Sequence, residues 1–147
     1  KAGMVDRLSR EKRSWNMSRI RSGNTAPEIA LRKLLHSAGF RFRLHSKNLP
    51  GKPDIVLPKW RTVIFMHGCF WHRHQGCRDT TTPKTRTDWW LNKFSKNVAN
   101  DLKKQRALED AGWRVLVVWE CELRELQHLK VELTKRIKKK ELIKAKK

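Results

Sequence analysis

Metal-binding side chains are concentrated between His67 and Cys77, where eleven positions hold three of the chain's six histidines and two of its three cysteines. The third cysteine follows a predicted strand. One donor set would give the closed Cys3His tetrahedron of a structural zinc site: Cys69, His74, Cys77 and Cys121. The competing interpretation is that the thiols are unrelated and that Cys121 is a small apolar side chain at a strand end.

A carboxylate stands at the start of an earlier predicted strand. Asp54 follows Pro53, and twelve residues later the next strand ends at Met66 and His67. An acid at one strand end with a second ligand at the neighbouring end is how Mg²⁺-dependent nucleases hold their metal, because Mg²⁺ prefers hard oxygen ligands. Such an ion neutralises charge that develops on the phosphate and activates the attacking water. By itself, Pro-Asp is more typical of a turn.

The first element that could position these residues is a helix with a clear start and stop. Thr25 is the predicted cap, Pro27 stands in the first turn, where it loses no hydrogen bond, and Glu28 falls at the capping-box position. Apolar residues then recur at helical spacing until Gly39. Glu28 therefore has a structural use as a cap, which is compatible with a catalytic one.

Four strands are predicted from alternating or continuous apolar runs. Their ranges are 40–44, 54–57, 62–66 and 113–119, and we expect the last to be a central strand buried on both faces. Residues 67–87 show no regular period. A loop of that length in a compact domain is expected to be functional or tied down, as a zinc ion would do here.

Two further helices are predicted. One ends at Gly112 and carries Asp101 on its inward face, with the apolar series Leu91, Phe94, Val98, Leu102 and Leu108. An inward-facing aspartate needs a partner. The last helix spans residues 123–143. The order helix, three strands, helix, strand, helix predicts an α/β domain with a mixed sheet.

The charge balance restricts the class of partner. Lys and Arg number 35 against 14 Asp and Glu, a formal net charge of +21, which favours a polyanion because binding releases its condensed counterions. The apolar fraction of 38% with seven Trp argues against disorder, and the apolar runs 63–66 and 115–119 are too short to span a membrane. Three cysteines argue against a secreted disulfide scaffold. These features predict a cytosolic nucleic-acid-binding protein.

We expect three segments along the chain. Residues 1–23 are a basic amino-terminal arm, interpreted as a solvated tail or a DNA clasp, and residues 1–3 of it as a cloning scar. Residues 24–134 are the folded domain, and residues 135–147 are a lysine-rich tail that contacts phosphates nonspecifically.

Several motifs occur in one order along the chain. They are Pro53-Asp54, Phe65–His72, Thr85–Thr87, Lys96-Asn97 with Asp101, and Gly112–Cys121. Over roughly residues 10–125, this order, and above all the run His-Gly-Cys-Phe-Trp-His, resembles the very short patch repair (Vsr) endonucleases. The resemblance implies a restriction-endonuclease-like PD-(D/E)XK core. It also implies a nick in one DNA strand beside a T:G mismatch left by deamination of 5-methylcytosine.

The resemblance places a catalytic Mg²⁺ site, with two ions expected, at matching positions. Asp54 would be the carboxylate ligand and the main-chain carbonyl of Met66 a second ligand. Relatives often have Thr at the latter position, a change that a carbonyl ligand tolerates. Glu28 would contact the metal-bound waters.

The same resemblance assigns the residues that act on the water and the phosphate. His72 would be the general base and Asp101 its orienting partner, while His67 would contact the scissile phosphate. The alternative for both histidines is that they are loop residues whose ring nitrogens bond to the backbone.

The resemblance also implies one structural Zn²⁺ at the Cys3His set described above. The spacing from His74 to Cys77 is one residue longer than in the family. Phe70, Trp71 and Trp90 match aromatics that wedge into the duplex next to the mismatch, a known use of such side chains. Trp90 is also placed for core packing, whereas Phe70 and Trp71 have no obvious core to enter.

Two other functions remain open at this point. One is a non-catalytic zinc-containing DNA-binding module, and the other is a related restriction-type nuclease with another target. The set of acids and histidines favours an enzyme, because a pure binder has no need of three acids beside a phosphate. We expect a monomer that acts on duplex DNA containing a T:G mismatch in the prokaryotic cytoplasm, at the nucleoid.

Overall fold

The computed structural model describes residues 25–139. The predicted arm at 1–23 and the final part of the lysine-rich tail, 140–147, lie outside the described residues. Within 25–139 the order helix, three strands, helix, strand, helix is confirmed, with one additional short helix. No helix in this range is long and apolar enough to cross a lipid bilayer.

Helix α1 spans Ala26–Ser37 and begins as predicted. The Glu28 N–H donates to Thr25 Oγ1 at 3.4 Å, and Pro27 lies in the first turn. Gly39 follows the helix with φ +87°, a conformation that glycine adopts without strain. The cap therefore fixes Glu28 in the first turn of α1.

The sheet has four strands in the described range, in the order β1 (Arg43–Leu44), β2 (Ile55–Leu57), β3 (Thr62–His67) and β4 (Arg114–Trp119). β1 and β2, and β2 and β3, pair antiparallel, whereas β3 and β4 pair parallel with His67 opposite Trp119. The mixed sheet is thus confirmed. The first strand is shorter than predicted, because only Arg43 and Leu44 have partners on β2.

The prediction that the last strand is central is wrong, since β4 lies at the edge of the described sheet. Both of its faces are nevertheless covered. Leu116 and Val118 are buried in the core on one face, and Val115 and Val117 pack around Leu108 on the other. A continuous apolar run predicts that both faces of a strand are covered, but it does not predict how many strands lie beside it.

Two other helices differ in extent from their predictions. Helix α2 (Cys69–His72) interrupts the stretch predicted to be irregular. Helix α4 spans Leu126–Lys138 and is preceded by a 3-10 turn over Glu120–Glu125, so it begins later than predicted. Ile137 is fully buried, and core packing therefore continues past residue 134.

Helix α3 (Thr87–Asp110) connects the two parallel strands and carries a narrow buried ridge. Phe94, Asp101 and Leu108 are seven residues apart and share this ridge, as predicted for Asp101. Three other residues of the predicted inward series are instead 37–55% exposed: Leu91, Val98 and Leu102. They lie on one flank of the helix, and because α3 crosses close to an open sheet edge, the strands cover the ridge and leave that flank to solvent.

The loop before Asp54 lies against α3 at Gly51. A Cβ at Gly51 would come within 2.7 Å of Lys104 Cβ and 3.4 Å of Lys104 Cα, and φ is +74°. Glycine is therefore required twice, for the conformation and for the close approach. This contact sets the path of the chain into Asp54.

We expect Gly51→Ala to lower the free energy of unfolding more than Gly39→Ala. Both variants place a Cβ on a left-handed backbone, which costs about 1–2 kcal/mol. Only Gly51→Ala also forces a side chain against Lys104, adding about 1–3 kcal/mol of overpacking, since Gly39 has open space around its missing Cβ. Urea unfolding of both variants measures the difference, and equal losses would contradict it.

Candidate active site and metal clusters

Three side chains from three different elements meet at the carboxyl end of β3. His67 ends β3, His72 ends α2, and Asp101 lies midway along α3. His72 Nδ1 lies 2.7 Å from Asp101 Oδ2, and His67 Nε2 lies 4.0 Å from Asp101 Oδ1. The two imidazole rings stack with centroids 3.9 Å apart. The structure therefore brings together all three residues predicted to act on the water and the phosphate.

The His72–Asp101 contact defines the chemistry available at His72. When Nδ1 carries the proton and donates it to the carboxylate, the other ring nitrogen, Nε2, is the basic one. A carboxylate behind an imidazole both orients the ring and stabilises its protonated form. His72 is thus arranged to accept a proton.

His67 differs from His72 because it is buried. Burial lowers the pKa of His67, and the nearby His72 and Lys104 act in the same direction against the opposing effect of Asp101, so that the pKa is about 4. The ring is consequently neutral at neutral pH. Its Nδ1 is buried and has no hydrogen-bond partner among residues 25–139.

Asp54 lies immediately before β2, and its carboxylate is held by the neighbouring strand. Met66 N–H donates to Asp54 Oδ2 at 2.8 Å. Burial raises the pKa of Asp54, the hydrogen bond from Met66 opposes this and the nearby Glu28 adds to it, so that the pKa is about 6. A partly desolvated carboxylate with a second acid beside it favours a bound cation, because the cation restores the charged form.

The donors around Asp54 suit a hard divalent ion. Asp54, Glu28 and His45 each offer an atom within 4.8 Å of the others. The main-chain carbonyl of Met66 belongs to the same strand that binds Asp54. Carboxylate and carbonyl oxygens are the ligands that Mg²⁺ prefers.

The two clusters share one cleft of about 730 Å³. Its walls include Glu28, Asp54 and Met66 on one side and His67, His72 and Asp101 on the other. Lys52, Lys93 and Lys104 also line it. The three lysines can attract a phosphate to the acidic and imidazole groups that line the same cleft.

The four predicted zinc donors form a separate cluster. The ligand atoms of Cys69, His74, Cys77 and Cys121 all lie within 4.8 Å of one another. His74 Nδ1 is 3.7 Å from Cys69 Sγ and 3.4 Å from Cys121 Sγ. The donor set is the one that a structural Zn²⁺ prefers.

Two observations bear on how this cluster fits a metal. Burial raises the pKa of Cys69 to about 12, so the thiol ionises only with a cation nearby. The additional residue between His74 and Cys77 is absorbed in a turn, in which Cys77 N–H bonds to the His74 carbonyl and Gly76 has φ +73°. The longer spacing therefore leaves Cys77 within reach of the other donors.

The expectation that Phe70 and Trp71 have no core to enter is wrong. Both rings pack in an aromatic cluster with Trp90 and Phe94 of α3, with ring centroids 5.1–5.8 Å apart. The Arg73 guanidinium lies 3.8 Å from the centre of the Phe94 ring. The polar sequence of the loop did not indicate this packing, because the partner rings belong to α3, about 20 residues further along the chain.

Sequence reasoning assigned no role to three residues that the structure places at the site. His45 Nε2 lies 3.3 Å from Glu28 Oε1, Asn97 donates a side-chain N–H to the Trp71 carbonyl at 3.2 Å, and Trp119 stacks on His74 and meets the edge of His67. A sequence signal exists only for Trp119. If the register of β3 and β4 had been known, the pairing of Trp119 with His67 would have placed it at the site.

Comparison with known proteins finds a matching family model and several similar proteins. The chain matches the family model described as DNA mismatch endonuclease Vsr over residues 5–79. It is 46% identical over 135 residues to the DNA mismatch endonuclease Vsr of Escherichia coli, covering 91% of this chain and 86% of that protein. It is 56% identical over 130 residues to the type II nicking enzyme V.XorIIP of Xanthomonas oryzae pv. oryzae, covering 88% and 95%. It is also 49% identical over 121 residues to the type II nicking enzyme V.NmeAIP of Neisseria meningitidis, covering 82% and 86%.

The raised pKa of Asp54 predicts a pH-dependent gain in stability for Asp54→Asn without added Mg²⁺. The folded-state pKa of about 6 exceeds the ordinary value of 3.8. Below the ordinary value the carboxyl is protonated in both the folded and the unfolded protein, and the wild type has its full stability. The free energy of unfolding then falls as pH rises through about 6, because the buried carboxyl ionises. Asparagine stays neutral and keeps the acceptor for Met66 N–H. The variant should gain at most roughly 3 kcal/mol over the wild type at pH 7.5, and the gain should vanish near pH 4. Thermal unfolding across this range measures it, and a gain independent of pH would contradict it.

Proposed function

The chain belongs to the Vsr family of DNA mismatch endonucleases, and on that premise we propose that it hydrolyses one phosphodiester bond beside a T:G mismatch left by deamination of 5-methylcytosine, in an Mg²⁺-dependent reaction that initiates very short patch repair. Family membership sets aside a non-catalytic zinc-containing DNA-binding module, since the family acts on DNA as an endonuclease. The family relatives named as nicking enzymes support cleavage of one strand.

The observation that carries this proposal is the shared cleft. An acidic cluster that suits a divalent ion and an Asp101-supported imidazole face the same lysine-lined space. A hydrolase of phosphodiesters needs both a group that stabilises negative charge and a group that accepts a proton from water. One chain supplies all of these side chains, which supports action as a monomer.

Mg²⁺ bound at Asp54 and the Met66 main-chain carbonyl would stabilise the charge that develops on the phosphate and favour ionisation of a water molecule. Glu28 lies beside Asp54 and can orient water there through hydrogen bonds. Two such ions are part of the proposal because the resemblance to the family implies them.

The two histidines act on the attacking water and on the phosphate. His72 accepts the proton of the attacking water at Nε2, while Asp101 holds the ring and stabilises its positive charge. His67, being neutral, donates a hydrogen bond to the scissile phosphate through one ring nitrogen. Its burial between Trp119 and His72 keeps the ring from turning away.

The proposed function includes a fold class and one structural zinc ion. A mixed sheet with Asp54 before one strand and the Met66 carbonyl on the next supports a PD-(D/E)XK core. The Cys3His cluster would hold one structural Zn²⁺, which ties α2 to the end of β4. Because His72 lies between two of these ligands in sequence, the ion would also fix the position of the base.

Phe70, Trp71 and Trp90 are proposed to enter the duplex next to the mismatch. Their cluster lies next to His72, so a seated wedge would fix the distance between mismatch and scissile phosphate. A T:G pair is easier to unstack than a matched pair, which makes insertion less costly there. Asn97 supports this segment by holding the Trp71 carbonyl.

A nicking assay tests the catalytic assignment. Asp54→Ala should abolish nicking of T:G duplexes, and His72→Ala should lower it by about 10²–10⁴-fold, while duplex affinity changes little because phosphate contacts dominate it. His128→Ala, an exposed histidine on α4, is the matched control. The substrates are T:G duplexes with varied flanks, with and without Mg²⁺. Asp54→Ala activity within tenfold of wild type would remove Asp54 from the metal site, and preference for another substrate would favour a restriction-type nuclease.

Replacing both Phe70 and Trp71 with alanine should lower nicking of T:G duplexes by orders of magnitude. Weak binding to matched T:A duplexes should change little, because it depends on charge. Trp60→Ala removes an aromatic ring that packs on Phe40 in the main core and controls for lost stability. If the double variant keeps the wild-type ratio of T:G to T:A nicking, the wedge is wrong.

Purified protein should contain about one zinc per chain. Cys121→Ala should lose the ion and unfold at lower temperature, whereas His36→Ala, at the exposed end of α1, should do neither. Elemental analysis and thermal unfolding measure this. Zinc-free protein, or a Cys121→Ala variant as stable as wild type, would refute the assignment.

A further inference from the structure

The side chain of His45 is directed towards the catalytic acids although it lies outside every motif of the sequence. It follows β1, and its N–H donates to the Asp54 carbonyl at 3.2 Å. Its backbone has φ +46°, in the left-handed region that histidine seldom adopts. Its ring Nε2 lies 3.3 Å from Glu28 Oε1.

The three side chains have the separations expected of ligands on one ion. Each of Glu28, His45 and Asp54 offers a donor atom within 4.8 Å of the other two. With metal–ligand bonds of about 2.1–2.3 Å, neighbouring donors of an octahedral ion lie about 3 Å apart and opposite donors about 4.5 Å apart. The His45 side chain is 39% exposed, so an ion from solvent can reach its nitrogen.

We propose that His45 is a nitrogen ligand of a divalent ion at the Glu28–Asp54 cluster and that it broadens the metal preference of the site towards Mn²⁺ and Co²⁺. The inference rests on the proposed function, which places a divalent ion at Asp54. Imidazole nitrogen is a poor ligand for Mg²⁺ and a good one for first-row transition ions, whose affinity rises from Mn²⁺ to Co²⁺. Adding one imidazole to the carboxylates therefore raises the affinity for these ions more than the affinity for Mg²⁺.

Arg32 limits how tightly such an ion is held. Its guanidinium lies 3.3 Å from the same Glu28 oxygen that His45 contacts. A bound ion therefore competes with the Arg32 ion pair. The site should exchange its ion readily, in contrast to the Cys3His cluster, whose four donors are all of the type that holds a structural zinc ion.

Mn²⁺ titration of the purified full chain, followed by electron paramagnetic resonance, tests the proposal without measuring activity. His45→Gln keeps a side chain that can bond to Glu28 but removes the imidazole ligand. It should weaken Mn²⁺ binding by about tenfold, remove a ¹⁴N coupling from the pulsed spectrum, and leave Mg²⁺ affinity, measured by competition, nearly unchanged. His128→Gln should match the wild type in all three.

Asp54→Ala separates the failure of this inference from the failure of the proposed function. If Asp54→Ala binds Mn²⁺ as the wild type does, the ion is not at Asp54 and the proposed metal site is wrong. If Asp54→Ala loses the ion while His45→Gln keeps both the affinity and the ¹⁴N coupling, the metal site stands and His45 is not a ligand. Equal weakening of Mn²⁺ and Mg²⁺ by His45→Gln, with the ¹⁴N coupling kept, would make His45 a residue that only positions Glu28, which overturns the proposal.

Discussion

Parallel pairing of β3 with β4 is the constraint on which two clusters depend. One is the group His67, His72 and Asp101, and the other is the Cys3His set. Parallel neighbours cannot be joined by a tight turn, so the chain leaves the sheet, crosses it as α3 and returns in the same direction. The crossover carries Asp101 over the end of β3, where His67 lies. The return strand delivers Trp119 opposite His67 and then Cys121 beside the other zinc donors. One topological requirement thus builds the catalytic group and closes the Cys3His set.

Burial at that strand end has opposite effects on two ionisable groups. Desolvation disfavours the charged form of any group, so it lowers the pKa of His67 and raises the pKa of Asp54. The first effect leaves a neutral imidazole at the cleft, which can donate a hydrogen bond without adding charge. The second leaves a carboxylate whose charged form needs a cation. The electrostatics of the cleft are therefore suited to a metal ion and an anionic substrate together.

Aromatic packing joins the two clusters into one unit. His72, His67, Trp119 and His74 form a continuous series of ring contacts, with centroids 3.9, 5.2 and 4.2 Å apart in turn. His74 belongs to the Cys3His cluster and His72 to the catalytic group. A displacement of His74 would therefore be transmitted to His72 through the rings of Trp119 and His67. The position of the Cys3His cluster and the position of His72 are thus linked by packing.

Local patterns in the sequence predicted most of the elements, whereas the roles of the histidines and acids came from the family resemblance. The cap at Thr25 and the stop at Gly39 follow from interactions within a few residues, and the structure has them as predicted. Three donors of the Cys3His set were identifiable because they are concentrated between Cys69 and Cys77, whereas Cys121 is distant in sequence and was included because it is the one other cysteine. The cap, the stop and the three concentrated donors are local features, so spacing alone records them.

Tertiary structure decided what spacing cannot record. The edge position of β4, the exposure of Leu91 and the packing of Phe70 against α3 depend on which elements become neighbours. An apolar side chain can lie at a sheet edge, on a helix flank or in an aromatic cluster, because its hydrophobicity does not specify which residues it packs against. His45 is the clearest case: only the pairing of β1 with β2 brings it to Asp54. The sequence by itself determined the elements and the chemical groups, and the sheet register determined which groups meet, since register joins residues that are distant along the chain.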